Sequence, residues 1–133
     1  MISVQTLYSG SSGNCTIVRE DDTVILIDMG KSCKKTLIAL NSLGIGATDI
    51  SAIFITHEHS DHIAGLSTFL KYYPRPIFGS SGTLNYLKDC DIIHDADAVE
   101  IEANETVTIG SIEIKGFRTS HDSKDCYGFE SRD

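Results

Sequence analysis

The chain has 133 residues with 41% hydrophobic content, which suits one globular domain with a modest core. Its formal net charge of −8 argues against a protein that holds nucleic acid by a broad basic face, although bound metal ions would supply local positive charge. No apolar run approaches the ~20 residues needed to span a bilayer, and Cys15, Cys33, Cys90 and Cys126 form no C-x-x-C pair.

Met1-Ile2-Ser3-Val4-Gln5 lacks a basic region followed by an apolar stretch, so no signal peptide is expected. The cysteines then read as reduced thiols and the compartment as cytoplasmic. Ser3 to Tyr8 reads as a first strand. Ser9-Gly10-Ser11-Ser12-Gly13-Asn14 follows as a permissive turn, either a plain hairpin loop or a cradle of backbone N–H groups for phosphate. Cys15 to Val18 and Thr23 to Ile27 are the next strands, with Asp21-Asp22 as their turn, and three short strands in succession predict a meander. Asp28, beside Gly30 at the strand end, is either a turn former or a group that orients a ligating histidine.

Ser32 is a plausible N-cap for a helix whose apolar stripe is Cys33, Leu37, Leu40 and Leu43, or else Ile38 and Ala39. Gly44 ends it at the C′ position. Ile53-Phe54-Ile55 reads as a buried strand that ends abruptly in Thr56-His57-Glu58-His59-Ser60-Asp61-His62. Three of five histidines lie within six positions. A His-rich polar loop alone would be a solvated connection, but a buried strand delivering H-x-H-x-D-H straight into a helix points to a metal site. Imidazole and carboxylate suit Zn²⁺, Mn²⁺ and Fe. In extended backbone His57 and His59 point to one side and can share an ion, whereas Asp61 and His62 project differently and can reach a second ion.

From His62, the residues Ile63, Leu66, Phe69 or Leu70 and Tyr73 continue one amphipathic helix, stopped by Pro74 and Pro76. Ile77-Phe78 is a brief strand, and Ser80 or Ser81 caps a helix over Thr83 to Lys88. Cys90 to Ala98 is irregular, with His94 on the surface. Glu100 to Ile109 and Ser111 to Phe117 alternate, joined at Asn104-Glu105 and Ile109-Gly110-Ser111, and predict antiparallel strands, the last running into Thr119-Ser120-His121-Asp122. Tyr127 to Glu130 begins another strand.

The H-x-H-x-D-H run resembles the hallmark of the metallo-β-lactamase-fold hydrolases. Ser9 to Cys15, Leu26 to Gly30, and Thr119 to Asp122 followed by Tyr127-Gly128-Phe129 resemble the YycJ/WalJ-like, exonuclease-type branch. The resemblance implies an α+β fold, the αββα sandwich, with mainly its first half present in one domain over residues 1–133. It implies that His57, His59 and His121 hold a first metal, that Asp61 and His62 hold a second, and that Asp28 supports the site. Two further ligands of the family pattern, a bridging aspartate and a last histidine, belong to a C-terminal half with no counterpart here. The spacing of Asp122, Asp125 and Asp133 does not recommend them as substitutes.

The expected cofactor is Zn²⁺, one or two per chain, or Mn²⁺ or Fe. The expected activity is metal-dependent hydrolysis of phosphodiesters, DNA-exonuclease-like. A metal lowers the pKa of its bound water to about 7, giving hydroxide, which Asp61 would orient. Ser11, Ser12 and Asn14 are candidates for hydrogen bonds to a substrate phosphate. The alternatives are a zinc-binding but catalytically silent domain, and a mononuclear hydrolase of small esters or thioesters. A half sandwich would leave an apolar sheet face bare, so a homo-oligomer or a missing C-terminal half is expected to cover it.

Overall fold

Parallel pairing of β3 (Thr23–Ile27) with β4 (Ile50–Phe54) brings Asp28 and residues 56–62 to one edge of a sheet. The computed structural model describes residues 2–10, 13–119 and 127–132. Strands β1 (Ser3–Tyr8), β2 (Cys15–Glu20) and β3 (Thr23–Ile27) form the expected antiparallel meander. Then β4 (Ile50–Phe54), β5 (Ile77–Gly79) and β6 (Ala98–Glu100) add in parallel to β3, giving one six-stranded sheet in the order β1-β2-β3-β4-β5-β6. Parallel neighbours need crossovers, which the helices provide. The connections leaving β3, β4 and β5 therefore emerge at the same carboxyl edge, where α/β sheets present their ligand sites.

The two faces of this sheet are read off the period-2 alternation of its strands. Ile17, Leu26, Ile53, Ile55 and Ile77 point to one side, against Leu40 of α1 (Cys33–Asn41), Leu66, Phe69 and Leu70 of α3 (Leu66–Tyr72), and Leu84 and Leu87 of α4 (Ser81–Asp89). Val18, Ile25, Ala52, Phe54 and Phe78 point to the other side. A second sheet, β7 (Thr106–Ile109), β8 (Ile112–Arg118) and β9 (Tyr127–Arg132), lies there through Ile112, Ile114 and Tyr127. Phe54 stacks on Phe78 at 4.6 Å and meets Phe129 edge-on at 5.3 Å, which ties β9 to the large sheet.

This corrects the expectation of a bare apolar face: among the described residues the chain's own second sheet covers it. The layers seen are helices, sheet and sheet.

Local chemistry explains where the other expectations hold or fail. Ser32 caps α1, its Oγ accepting the Lys35 N–H at 3.2 Å, and Gly44 takes the left-handed φ of 77° that closes the helix. Of the two stripes offered, the one with Cys33 and Leu40 is buried, while Ile38 is exposed. Ser80 caps α4.

The helix after His62 is two helices, α2 (Ser60–Ile63) and α3, not one. In a continuous helix the Gly65 N–H would bond the Asp61 carbonyl. Here it donates to the Met29 carbonyl at 3.0 Å, and the Asp61 carbonyl accepts from the Asn14 N–H at 2.8 Å. The joint expected at Asn104-Glu105 is present, but the strands on its two sides belong to different sheets. Glu100 ends β6 in the first sheet, Glu102 to Glu105 is a turn closed by a 3.0 Å bond from the Glu105 N–H to the Glu102 carbonyl, and Asn104 sits at φ 70°. Only Thr106–Ile109 pairs with β8.

Candidate metal centre

Strand β4 is buried from Ala52 onward, and its exit carries Thr56 and His57 to the carboxyl edge. His57 is 7% exposed, His59 opens α2 as its N-cap, and His62 lies on its last turn. The His57 ring centroid is 4.7 Å from that of His59 and 3.7 Å from that of His62. The three motif imidazoles therefore face one another, as the extended-backbone argument requires for the first two.

Asp28 anchors this cluster from the end of β3. It is 4% exposed and sits at φ 67°, the left-handed region that Asp tolerates better than most residues. Its Oδ1 accepts the Thr56 N–H at 2.8 Å. Its Oδ2 accepts the Thr56 hydroxyl at 2.7 Å and lies 2.6 Å from His62 Nδ1. The two readings of Asp28 left open by the sequence are both realised: it turns the chain and it orients a histidine.

The protons on these rings follow by counting donors. A carboxylate only accepts, so the His62 nitrogen facing Asp28 carries a hydrogen and Nε2 is left as the unprotonated ring nitrogen of neutral His62. The Thr56 hydroxyl has one hydrogen and gives it to Asp28. Toward His57 Nδ1, 2.9 Å away, it is therefore the acceptor, and His57 too is held as the Nδ1–H tautomer. Sequence reading passed over Thr56, because a threonine at a strand end is ordinary β propensity. Its only signal is position, directly before the first motif histidine and opposite an acid ending the neighbouring strand.

Burial works to lower the pKa of His62, but the hydrogen bond and charge of Asp28, with the charge of Asp61, outweigh it and raise the pKa above the ordinary value. His62 Nε2 is 3.4 Å from Asp61 Oδ2. The Asn14 amide spans both, its Nδ2 being 3.1 Å from Asp61 Oδ2 and 3.4 Å from His62 Nε2. Asn14 thus faces Asp61 and His62 together.

Backbone lacing holds the three segments together. Asn14 accepts from the Gly30 N–H at 2.8 Å, and the Met29 N–H donates to the His62 carbonyl at 2.8 Å. A Cβ at Gly30 would collide with the Asp61 carbonyl, so only glycine permits that approach.

Donor chemistry fits a divalent ion of the zinc type, with imidazole Nε2 atoms and one carboxylate, and with His57 and His62 held from behind by Thr56 and Asp28. Among the described residues no group of three or more His, Cys, Asp or Glu is already arranged to hold an ion. His121, Ser11 and Ser12 lie outside the described residues, as do Asp122, Asp125 and Asp133. His94 is exposed and bonds Ser67 at 3.0 Å, in keeping with a surface role. Among the described residues no helix is long and apolar enough to cross a membrane.

Comparison with known proteins agrees with this geometry. The sequence signature of the Metallo-beta-lactamase superfamily matches residues 8–125. The chain is 34% identical over 119 residues to "Exodeoxyribonuclease YycJ" of Bacillus anthracis, spanning 88% of this chain and 45% of that protein. It is 33% identical over 120 residues to "Exodeoxyribonuclease WalJ" of Streptococcus pneumoniae, with the same coverages of 88% and 45%. The chain thus spans about half the length of these curated relatives. Among solved structures it is similar to MEM-A1, a subclass B3 metallo-beta-lactamase from a soil metagenome library, at TM-score 0.79 and 20% identity over 98% of this chain and 55% of that one.

Proposed function

The chain belongs to the metallo-beta-lactamase superfamily, and from that premise we propose that it is the motif-bearing part of a metal-dependent phosphodiesterase that acts on nucleic acid in the manner of a DNA exonuclease. The observation that carries the metal dependence is the Asp28–Thr56 relay, whose carboxylate at 2.6 Å from His62 Nδ1 and whose hydroxyl at 2.9 Å from His57 Nδ1 set two imidazoles as Nε2 donors. The phosphodiester reading rests on the YycJ and WalJ relatives, both named exodeoxyribonucleases.

In this reading His57, His59 and His121 hold one ion, Asp61 and His62 reach toward a second, and Asp28 and Thr56 hold the rings. A bound zinc, manganese or iron ion would supply Lewis acidity for the phosphoryl oxygens and a more acidic water. Asp61 accepts a hydrogen bond from the attacking water at Oδ2 and aligns it with phosphorus. Asn14 fixes that carboxylate through its 3.1 Å bond, so its role is to position Asp61. We place this protein in the cytoplasm, with a homo-oligomer or a further half of the sandwich completing the site.

A second reading has its own support. The three motif imidazoles face one another, yet among the described residues no group of three or more His, Cys, Asp or Glu is set to hold an ion, which suits a domain that binds zinc without turning over. Elemental analysis with mass in solution decides between them. Close to two metals per chain in a defined assembly, with hydrolysis of a phosphodiester, supports the enzyme; one zinc or none, with no hydrolysis, leaves the silent domain.

A further inference from the structure

The acidic balance of this chain hides one strongly basic turn. Of its eleven Lys and Arg residues, Lys31, Lys34 and Lys35 fall within five positions, and no Asp or Glu occurs between Asp28 and Asp49. That turn lies at the start of α1, which β3 delivers to the same carboxyl edge as the histidine cluster.

Lys31 is physically joined to the candidate metal centre. It follows Gly30, which is packed against the Asp61 backbone, and its own carbonyl is so close to Gly65 that a Cβ there would clash. Its side chain runs across Gly13 and sets Nζ 4.4 Å from the centre of the Tyr8 ring. The Tyr8 hydroxyl in turn donates to the Lys35 carbonyl at 3.2 Å. Tyr8 therefore braces the turn, while Lys34 and Lys35 are exposed. On the opposite flank the charges are acidic: Glu58 accepts from Thr83, and Glu100 and Glu102 line the cleft beyond with Arg118. A polyanion leaving the centre meets attraction on the α1 side and two carboxylates on the β6 side.

We propose that Lys31, Lys34 and Lys35 form a backbone-phosphate subsite that holds a single nucleic-acid strand on the α1 side of the histidine cluster. The proposal rests on the phosphodiester reading above and adds to it where the strand lies. Such contacts release counterions, so each neutralised phosphate of a single strand contributes about 0.7 to the slope of log affinity against log salt.

The test is fluorescence anisotropy of a labelled single-stranded oligodeoxynucleotide with the full chain, under chelator so that nothing is cleaved. It compares wild type, the Lys31→Ala/Lys34→Ala/Lys35→Ala triple variant, and Lys88→Ala. Lys88 lies near the C-terminal end of α4, beside Asp97 and Ala98 at the start of β6, away from the carboxyl edge. The triple variant should lose about 2 from the salt slope. Between about 50 and 200 mM salt wild type should then lose roughly sixteenfold more affinity than the variant, with Lys88→Ala matching wild type. An unchanged slope in the triple variant, an equal loss in Lys88→Ala, or no oligonucleotide binding by wild type overturns the proposal. In parallel, metal-loaded wild type is assayed on bis(4-nitrophenyl) phosphate, a diester with no nucleic-acid backbone to extend along α1. Its hydrolysis alongside lysine-independent oligonucleotide binding defeats only the subsite. A lysine-dependent slope with no diester hydrolysis under zinc, manganese or iron supports the subsite and defeats the catalytic reading.

Discussion

Asp28→Asn is the cleanest probe of the centre, because asparagine tolerates the left-handed φ of 67° as aspartate does and the side chains have the same shape. The amide oxygen keeps the Thr56 N–H, held at 2.8 Å in wild type. The amide NH₂ then stands where Oδ2 accepted both the Thr56 hydroxyl at 2.7 Å and the His62 Nδ1–H at 2.6 Å. A donor facing two donors forces both to turn. His62 moves its hydrogen to Nε2, and the Thr56 hydroxyl reverses and demands the same of His57. Both rings lose the lone pair that a metal needs. Losing a supporting partner of a ligating histidine costs roughly 10- to 100-fold in metal affinity. That is about 1.4–2.7 kcal/mol at 1.36 kcal/mol per decade, and with two rings affected the upper end is expected. Zinc competition against a chromophoric chelator measures it, and long-range ¹H–¹⁵N spectra of the imidazoles report the tautomers in the metal-free protein. If the variant binds zinc as wild type does, or its rings keep Nδ1–H, the relay argument is wrong.

Four further outcomes follow from the same geometry. Thr56→Val keeps the backbone bond to Asp28 but removes the acceptor of His57 Nδ1, so zinc affinity should drop about tenfold while the His62 tautomer is unchanged. Gly30→Ala should cost about 1–3 kcal/mol or more in a thermal melt and displace the 61–62 backbone, because the clash is with main chain that has no room to give. The metal-free and zinc-loaded proteins should respond oppositely to pH. The raised pKa of His62 gives the metal-free fold a stabilising term fully present below pH 6.5 and lost as pH rises through the folded value, whereas zinc, which needs the neutral ring, should bind more tightly over that same rise. Burial, with the Asp28 charge, pushes the Cys15 thiol up to about 12 from 9.0, so its contribution is intact below pH 9 and is lost toward pH 12. That loss approaches ~4 kcal/mol in denaturant melts at alkaline pH. Peptide mapping of the native protein after alkylation near pH 8 should show Cys90 modified and Cys15 protected, since only Cys90 of the two is exposed.

How much of this was legible beforehand depended on whether the signal was local. The meander, the caps at Ser32 and Ser80 and the strand delivering His57 were readable, because alternation, capping oxygens and strand ends are properties of neighbouring residues. Two local patterns misled. Alternation from Glu100 put the segments on both sides of the Asn104-Glu105 joint among antiparallel strands, whereas β6, before it, pairs parallel with β5 in the other sheet. The apolar stripe from Ile63 to Tyr73 survived a helix break because the break spends one carbonyl, that of Asp61, on Asn14 rather than on Gly65.

The sequence by itself determined the donor types: an H-x-H-x-D-H run, a histidine at 121, an acid at 28 and a lysine-rich turn at 31–35, all chemistry written in side chains. Only the tertiary structure decided their relations. Parallel pairing of β3 with β4 put Asp28, Thr56 and the α1 lysines on one edge, though they are more than twenty residues apart in places. It made Thr56 the member that sequence reading lacked, and it folded β7–β9 over a face expected to lie bare. Hydrogen-bond partners and sheet coverage depend on which strands become neighbours. That choice is made by the packing of the whole core rather than by any stretch of chain within it.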